Sequence, residues 1–414
     1  MSEAGYPPED RRELLDARWN VACAFLIFFA TLGIPAIMIP VLYAPIIDET
    51  GWSRGDVALL TSVKFGVGAV AAYMTGHLVE RFGVRPVTIA CAVISGCALL
   101  LMPLVHSLWT LYVVGALLGI SALGVTTAMK IFVSQWFSRR QGLAIGVSLM
   151  GTSCAGVVVP YTTTILAQAV GWRMTCALMS LAIWLVALPF FIWRARERSN
   201  DQMAATAKSD AVSYGAAPEF RQVRFTRPFI VAAIISFLFG AVDHGLSAHL
   251  VIYLDRDLHL GAGVAAIGFS VVMVMSNIGK LAYGWVFDRF SLKGVAACWF
   301  LVSIGVLMTL PIEGTITLVA FALVYGPTQG GMLISVPVLA KHVFGPRAMT
   351  RAIAVLTTVF MAGSSAGPAM AGYLHDLLGN YTVAFLLFAL AALASGILTL
   401  TLDARYHLAF KKKG

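Results

Sequence analysis

The segments GHLVERFGVR, at residues 76–85, and GWVFDRFSLK, at residues 284–293, indicate the fold of this chain. Each ends a long apolar run with an acid–arginine pair, and the second copy follows the first at about half the chain length. Such a repeat predicts two related membrane halves. Paired helical repeats are typical of secondary transporters, whose substrate site lies near the bilayer midplane where the repeats meet.

The composition requires a membrane as solvent. Of 414 residues, 59% are hydrophobic and only 12% are charged, a balance that a soluble globule of this length does not have. Apolar runs close to or above the roughly 20 residues that cross a bilayer recur along the whole chain. We predict an all-α integral membrane protein with twelve transmembrane helices in two pseudo-symmetric six-helix halves. The predicted spans are residues 20–44, 57–79, 86–105, 108–134, 141–168, 173–193, 228–254, 264–286, 293–312, 315–341, 350–375 and 380–402.

The distribution of basic residues predicts the orientation. With both termini in the cytoplasm, most of the 29 lysines and arginines fall in cytoplasmic segments, and Arg54, Arg173 and Arg256 fall outside. The net charge of +9 arises from these short clusters and the KKK tail, so we expect a lipid bilayer, not nucleic acid, as the partner. Short loops without a glycosylated ectodomain favour a bacterial inner membrane.

The predicted organisation is an N-terminal six-helix half at residues 1–193, a cytoplasmic linker at 194–227 and a C-terminal half with its tail at 228–414. The linker is polar and lacks apolar periodicity, which favours a flexible connection over a regulatory segment. GTSCAG at 151–156 and GSSAGP at 363–368 occupy the fifth predicted span of each half. Small residues at this density allow helices to approach closely.

The repeated segments share a pattern of glycine, acid, arginine and a further base. The residues of this pattern are Gly76, Glu80, Arg81 and Arg85 in the first copy, and Gly284, Asp288, Arg289 and Lys293 in the second. The pattern resembles the cytoplasmic loop of the major facilitator superfamily, and the resemblance covers nearly the whole chain. It implies a conformational latch, in which these residues engage a neighbouring helix end in one state and release it in the other. The alternative is ordinary positive-inside topology with a glycine turn.

A second resemblance concerns one branch of that superfamily. QWFSRRQGLAIGVSLMG at 135–151 and HLVIYLDRDL at 249–258 resemble segments of monocarboxylate transporters and oxalate/formate antiporters. The resemblance implies a carrier of small organic anions that works as a monomer by alternating access. Proton-coupled monocarboxylate symport is our leading interpretation. The alternatives are an oxalate/formate-type exchanger, an exporter of small apolar compounds and a sensor that does not transport.

Ionisable side chains inside the membrane suggest the site. Each costs roughly 2.5–3.5 kcal/mol at a helix centre, so a functional reason is expected. Asp243 is the sole carboxylate well inside a predicted span and is our candidate proton carrier. Lys280 shares a helix face with Asn277, and together they suit a substrate carboxylate. Lys64 is either a further anion-attracting charge or the partner of Asp243. The alternatives are a fixed Asp–Lys pair and snorkelling of Lys280.

Two histidines and a tyrosine complete the candidates. His249 and His244 share a predicted helix with Asp243, and histidines titrate near neutral pH. His249 matches the pattern of the resembled branch, which implies a substrate or proton contact; the alternative is a packing histidine. Tyr325, followed one turn later by Gln329, is a candidate for the wall of the substrate cavity.

The sequence does not indicate an enzyme. It has no phosphate-binding GxxxxGK[ST] loop, no HExxH motif and no nucleophile with an evident base partner. All six cysteines fall inside apolar runs without CxxC spacing and are typical of packing residues. We therefore expect no catalytic activity, no cofactor, no metal site and no ATP-driven step.

Overall fold

A computed structural model of the protein describes residues 8–134, 136, 141–196 and 223–402. Within these ranges every regular element is helical and no strand occurs. The predicted all-α architecture is therefore confirmed. The central part of the predicted linker lies outside the described residues.

The first part of the described chain forms eight α-helices. They are α1 (Pro8–Ile27), α2 (Ile34–Val41), α3 (Tyr43–Thr50), α4 (Arg54–Phe82), α5 (Val84–Leu101), α6 (Leu108–Ser134), α7 (Gln141–Leu181) and α8 (Leu188–Arg194). A π-helical turn at Phe28–Gly33 continues α1 into α2, and another at Ala182–Ala187 continues α7 into α8. Each joined pair forms a longer helical path because a π turn keeps the backbone hydrogen-bonded.

The second part forms five α-helices. They are α9 (Arg227–Ile252), α10 (Ala262–Phe290), α11 (Leu292–Leu307), α12 (Thr315–Leu378) and α13 (Thr382–Leu400). A π turn at Tyr253–Asp257 extends α9. Glycines with positive φ end α12 at Gly379 and precede α10 at Gly261, where a side chain would strain the backbone.

Eight helical segments of the described chain are long and apolar enough to cross a membrane. One of them, Gly146–Arg194, has 49 residues and contains two predicted spans, which meet near the non-helical Gly171. Helix α12 has 64 residues and contains the tenth and eleventh predicted spans, a length sufficient for two crossings at about 20 residues each. The ninth predicted span, 293–312, coincides with the shorter α11 (Leu292–Leu307) and the turn after it, so every predicted span lies largely on helical structure.

Small residues explain the close packing of α10 against α12. A Cβ atom on Gly330 would overlap the carbonyl oxygen of Ser276, and one on Gly279 would overlap that of Pro327. Because membrane helices gain little from burying apolar surface away from lipid, such close backbone approach is a main source of their association. These glycines therefore fix the separation of two helices that carry candidate site residues.

The chain forms two compact units. One comprises Met1–Ile39, Val67–Val159 and Leu166–Ser213, and the other comprises Pro40–Gly66, Pro160–Ile165 and Tyr214–Gly414. The start of α4 therefore belongs to the second unit, together with α9 to α13. The division predicted from sequence, with a linker at 194–227, stays a prediction.

Candidate functional site

Asp243 is the centre of a polar cluster in the second unit. Its side chain, on α9, is buried, and its Oδ1 accepts a hydrogen bond of 3.0 Å from Nε2 of Gln329 on α12. The same Nε2 donates to Oγ of Ser247 at 3.2 Å. Nδ1 of His244 lies 3.5 Å from the other carboxylate oxygen, Oδ2. A carboxylate inside an apolar helix bundle is costly unless it is hydrogen-bonded, and the Gln329 amide supplies one such bond.

His244 also contacts two aromatic rings, those of Phe65 and Phe360, which we call the aromatic clamp. Its ring meets Phe65 edge-on at a centroid distance of 4.2 Å and Phe360 at 5.6 Å. The imidazole is 26% exposed, whereas the neighbouring Asp243 side chain is 8% exposed. Our sequence prediction favoured His249 over His244. The signal for His244 was its adjacency to Asp243 in the sequence.

Lys64 is a buried cation next to the same clamp. Its side chain, on α4, is 5% exposed, and Nζ lies 4.8 Å from the centre of the Phe65 ring. Within the described part of the chain, no carboxylate forms an ion pair with Lys64. Lys64 and His244 also interact electrostatically. The aromatic ring offsets part of the cost of burying the ammonium group, and the positive charge can still attract an anion.

Lys280 and Asn277 come together on α10, as their spacing predicts. Nζ of Lys280 donates to Oδ1 of Asn277 at 3.1 Å, and Nδ2 of Asn277 donates to the carbonyl oxygen of Met273 at 3.0 Å. The ammonium group also interacts electrostatically with Asp243. The amide thus orients a lysine whose charge acts on the buried carboxylate.

Gln329 and Tyr325 line the cluster from α12. Tyr325 is buried, stacks on Phe321 at 5.3 Å and turns its hydroxyl toward Ser247 and Asp243. Oε1 of Gln329 is buried and accepts no hydrogen bond from any described residue. A buried amide oxygen without a donor is costly, and a ligand that brings a donor would remove that cost. The residues of what we call the Asp243 cluster are Lys64, Asp243, His244, Ser247, Asn277, Lys280, Tyr325 and Gln329.

His249 has different surroundings. It is fully buried, Nε2 lies 2.9 Å from the carbonyl oxygen of Pro368, and Nδ1 lies 2.8 Å from the Tyr381 hydroxyl. A carbonyl oxygen only accepts, so Nε2 carries a hydrogen, and the Tyr381 hydroxyl donates to Nδ1 of the neutral ring. Both ring nitrogens are therefore bonded to the protein. This arrangement favours the packing alternative for His249 over direct contact with a substrate.

Sequence reasoning missed a charge network at the start of α4. The Arg54 guanidinium pairs with Asp257 at 2.6 Å, and Nε2 of His375 lies 3.2 Å from the same carboxylate. Asp376 accepts hydrogen bonds from the backbone N–H groups of Arg54, at 3.1 Å, and Gly55, at 2.8 Å. A carboxylate at a helix N-terminus satisfies unpaired donors and stabilises the helix dipole. The available signal was a charged residue at the first turn of an apolar span.

The structure describes part of the predicted latch. The Arg81 guanidinium lies over the Phe82 ring at 5.2 Å, and Nη2 of Arg85 donates to the carbonyl oxygen of Ile192. Gly76 and Glu80 lie on α4. The surroundings of Gly76 and of the Glu80 side chain are not among the features of the chain that the structure describes. The first copy of the latch stays a prediction.

The second copy shows a similar arrangement. Arg289 lies over the rings of Trp285, at 5.8 Å, and Phe290, at 5.7 Å. Lys293 is exposed, and Gly284 has open space around it. The side chain of Asp288 is outside the described part, so this copy also stays a prediction.

A metal centre needs several ligating side chains close together. Among the described residues, no group of three or more histidines, cysteines, aspartates or glutamates could hold a metal ion. The chemistry available at the Asp243 cluster is hydrogen bonding, charge attraction and proton transfer by side chains.

Curated relatives are transporters. The chain is 25% identical to monocarboxylate transporter 12 of Xenopus laevis over 376 residues, covering 84% of this chain and 79% of the relative. It is 25% identical to monocarboxylate transporter 13 of Bos taurus over 398 residues, covering 94% of this chain and 90% of the relative.

Solved structures share the fold. A point mutant of the nucleoside transporter NupG superposes with a TM-score of 0.75 at 12% identity, covering 92% of this chain and 99% of that one. A bacterial homologue of the human lysosomal transporter Spinster, inward-facing and unoccupied, gives 0.71 at 16% identity and covers 98% of both chains. At these identities the likeness concerns the fold alone, and it confirms the predicted twelve-helix architecture.

The family model described as Major Facilitator Superfamily matches residues 21–294 and 233–414, which together take in almost the whole chain. Its two matches overlap across the middle of the sequence, as expected for a protein built from related halves. Members of this family are transporters and not enzymes, in agreement with the lack of catalytic motifs. The repeated loop pattern, the helical membrane fold and the curated relatives agree with this match. The chain therefore belongs to the Major Facilitator Superfamily.

Proposed function

We propose that this transporter carries small organic anions and works as a proton-coupled monocarboxylate symporter by alternating access. The observation that carries the proposal is the Asp243 cluster, where a buried carboxylate lies close to the cationic Lys280 and the imidazole of His244. The relatives named monocarboxylate transporters support an organic anion as substrate. An exchanger would need the cations of this cluster but has no need of a buried carboxylate that can take a proton.

The charges of the cluster couple anion binding to proton binding. An ionised Asp243 attracts Lys280 and thereby competes with a substrate carboxylate for it. Protonation of Asp243 removes this competition, so the anion binds more tightly when the proton is bound, and by linkage the proton binds more tightly when the anion is bound. One anion and one proton together leave the net charge of the cluster unchanged. The loaded and empty carriers then face the same electrostatic cost when they change conformation.

Each candidate residue takes a role in this proposal. Lys280, oriented by Asn277, binds the carboxylate, and Lys64 provides a second attracting charge. Tyr325 contacts the substrate from α12. We assign His249 to positioning, because both of its nitrogens are bonded to protein groups.

Membership of the family supports a wider cycle of conformational change. The eight residues of the repeated loop pattern act as the latch between conformations. We further propose that the protein works as a monomer in a bacterial inner membrane with both termini in the cytoplasm. The excess of basic residues in the segments assigned to the cytoplasm supports this orientation.

Uptake by proteoliposomes tests the function. Purified protein is offered labelled mono- and dicarboxylates with and without an inward proton gradient. We expect gradient-stimulated uptake of monocarboxylates that is lost in Lys280→Ala and retained in the control Lys412→Ala, in the basic tail. Label that moves only against unlabelled anion on the opposite side would instead show an exchanger. Unchanged uptake by Lys280→Ala would remove Lys280 from the site.

A further inference from the structure

His244 is the more accessible neighbour of the buried Asp243. Its imidazole is 26% exposed, and the carboxylate next to it is 8% exposed. The rings of Phe65 and Phe360 flank the imidazole and restrict water on those sides. The His244 ring is therefore the more accessible of these two neighbouring titratable groups.

The hydrogen bonds of the cluster leave one pair of atoms facing each other. Nε2 of Gln329 donates a hydrogen bond to Oδ1 of Asp243, whereas Oδ2 lies 3.5 Å from Nδ1 of His244. The buried Nδ1 has no well-aligned hydrogen-bond partner among the described residues, and the imidazole also interacts with the backbone of Gly240 one turn earlier. A separation slightly beyond hydrogen-bond length is common for proton-transfer partners before substrate binds and shortens in the complex.

The other charged and titratable groups around His244 suit a proton relay. They also disfavour a lasting positive charge on its imidazole. Lys64, on α4, interacts electrostatically with the imidazole. Lys280, on α10, and Tyr325, on α12, interact electrostatically with Asp243. The ammonium group of Lys64 repels an imidazolium, so a proton accepted by His244 passes on quickly. Asp243, which interacts electrostatically with the ammonium group of Lys280, is the group that exchanges its proton with the ring.

We propose that His244 is the relay that carries the proton between the aqueous side of the cavity and Asp243; the inference rests on the proposed proton-coupled function. On loading, Nε2 takes a proton from hydronium, which leaves as water, and Nδ1 gives its own proton to Oδ2 of Asp243. On release, Oδ2 returns a proton to Nδ1, and Nε2 gives one to water. Loading and release restore the starting tautomer, so the ring does not need to rotate.

The test separates proton transfer from substrate movement. His244→Gln is reconstituted, and two rates are measured: net uptake of labelled lactate driven by a proton gradient, and exchange of labelled for unlabelled lactate at equal acidic pH. Exchange does not require the proton to leave the carrier. The exchange rate therefore measures how much folded protein still binds and moves the substrate. We expect net uptake to fall about tenfold or more while exchange stays within about twofold of wild type, because a positioned acid–base group typically contributes at least this much.

Two further variants sharpen the test. His106→Gln, an exposed histidine in the other unit, is the matched control and is expected to retain both rates. His244→Ala with added imidazole is expected to regain net uptake, since the free base can take the place of the missing ring. Normal net uptake by His244→Gln would overturn the relay, and so would parallel loss of both rates without rescue by imidazole. Wild-type uptake at the same rate with and without the proton gradient would overturn both the relay and the proposed function.

Discussion

At the scale of single residues, hydrogen bonding distinguishes the surroundings of His249 from those of His244. Both of its nitrogens are bonded, to Pro368 and Tyr381, and its side chain is completely buried. His244 is only five positions away on the same helix, yet its Nδ1 has no such bond and faces Asp243. The two rings therefore have different surroundings although both lie on α9.

Removing the Tyr381 hydroxyl tests the packing role. Tyr381→Phe keeps the ring but leaves Nδ1 of His249 buried without a donor, which costs about 1–3 kcal/mol. We expect a lower melting temperature for the detergent-solubilised protein, with proton-driven uptake retained by the fraction that folds. Tyr161→Phe, at an exposed tyrosine, is the control. Equal melting temperatures for Tyr381→Phe and wild type would show that this bond does not hold His249.

Residues such as Asp243 and Lys280 could be proposed as site residues from the sequence, whereas most of their contacts could not. Asp243 and Lys280 stand out because intramembrane charges are rare, and the Lys280–Asn277 bond follows from i,i+3 spacing. The bond from Gln329 to Asp243 joins residues 86 positions apart. Such a contact depends on how α9 packs against α12, which no local pattern contains. The different surroundings of His249 and His244 also depend on tertiary packing.

At the scale of helices, α4 begins on a cap that another helix provides. Asp376, near the end of α12, accepts both N–H groups of the first α4 residues, Arg54 and Gly55. Gly55 is required at this contact, because a Cβ atom there would lie 2.5 Å from the Tyr373 ring. The cap fixes the first turn of the helix that carries Lys64.

Truncation of this cap is expected to destabilise the protein. Asp376→Ala loses both bonds, and loss of an N-terminal cap costs about 0.5–2 kcal/mol. We expect a melting temperature below that of wild type, with Asp376→Asn in between, since an amide oxygen still accepts a hydrogen bond but carries no charge. Glu313→Ala, at an exposed acid, controls for the loss of a carboxylate. Identical unfolding of all three variants would contradict the cap.

The α10–α12 contact gives a second prediction for helices. Gly330→Ala places a methyl group where the Ser276 carbonyl oxygen lies, so the two helices must separate. We expect a loss of monodisperse protein in size-exclusion chromatography and a lower melting temperature. Gly263→Ala, on α10 with open space around it, is the matched control and is expected to behave as wild type. A stable, monodisperse Gly330→Ala protein would show that the helices tolerate a wider separation.

At the scale of the whole molecule, composition and the repeated loop segments were sufficient to predict the fold. Helices are forced on an apolar chain because every backbone polar group in lipid must be satisfied within the protein. Helix ends were less predictable: α12 runs from Thr315 to Leu378 through what the sequence suggested as a loop. The compact units also group residues 40–66 with α9 to α13, a tertiary contact that hydropathy alone does not reveal.

The measurement that tests the central claim most directly is the luminal pH of vesicles containing the protein. Lactate is added outside at equal pH on both sides, with a pH-sensitive dye trapped inside. The proposed symport predicts acidification faster than in protein-free vesicles, lost in Asp243→Asn while lactate exchange persists. Acidification no faster than in protein-free vesicles, or equally fast with wild type and Asp243→Asn, would contradict proton coupling through Asp243.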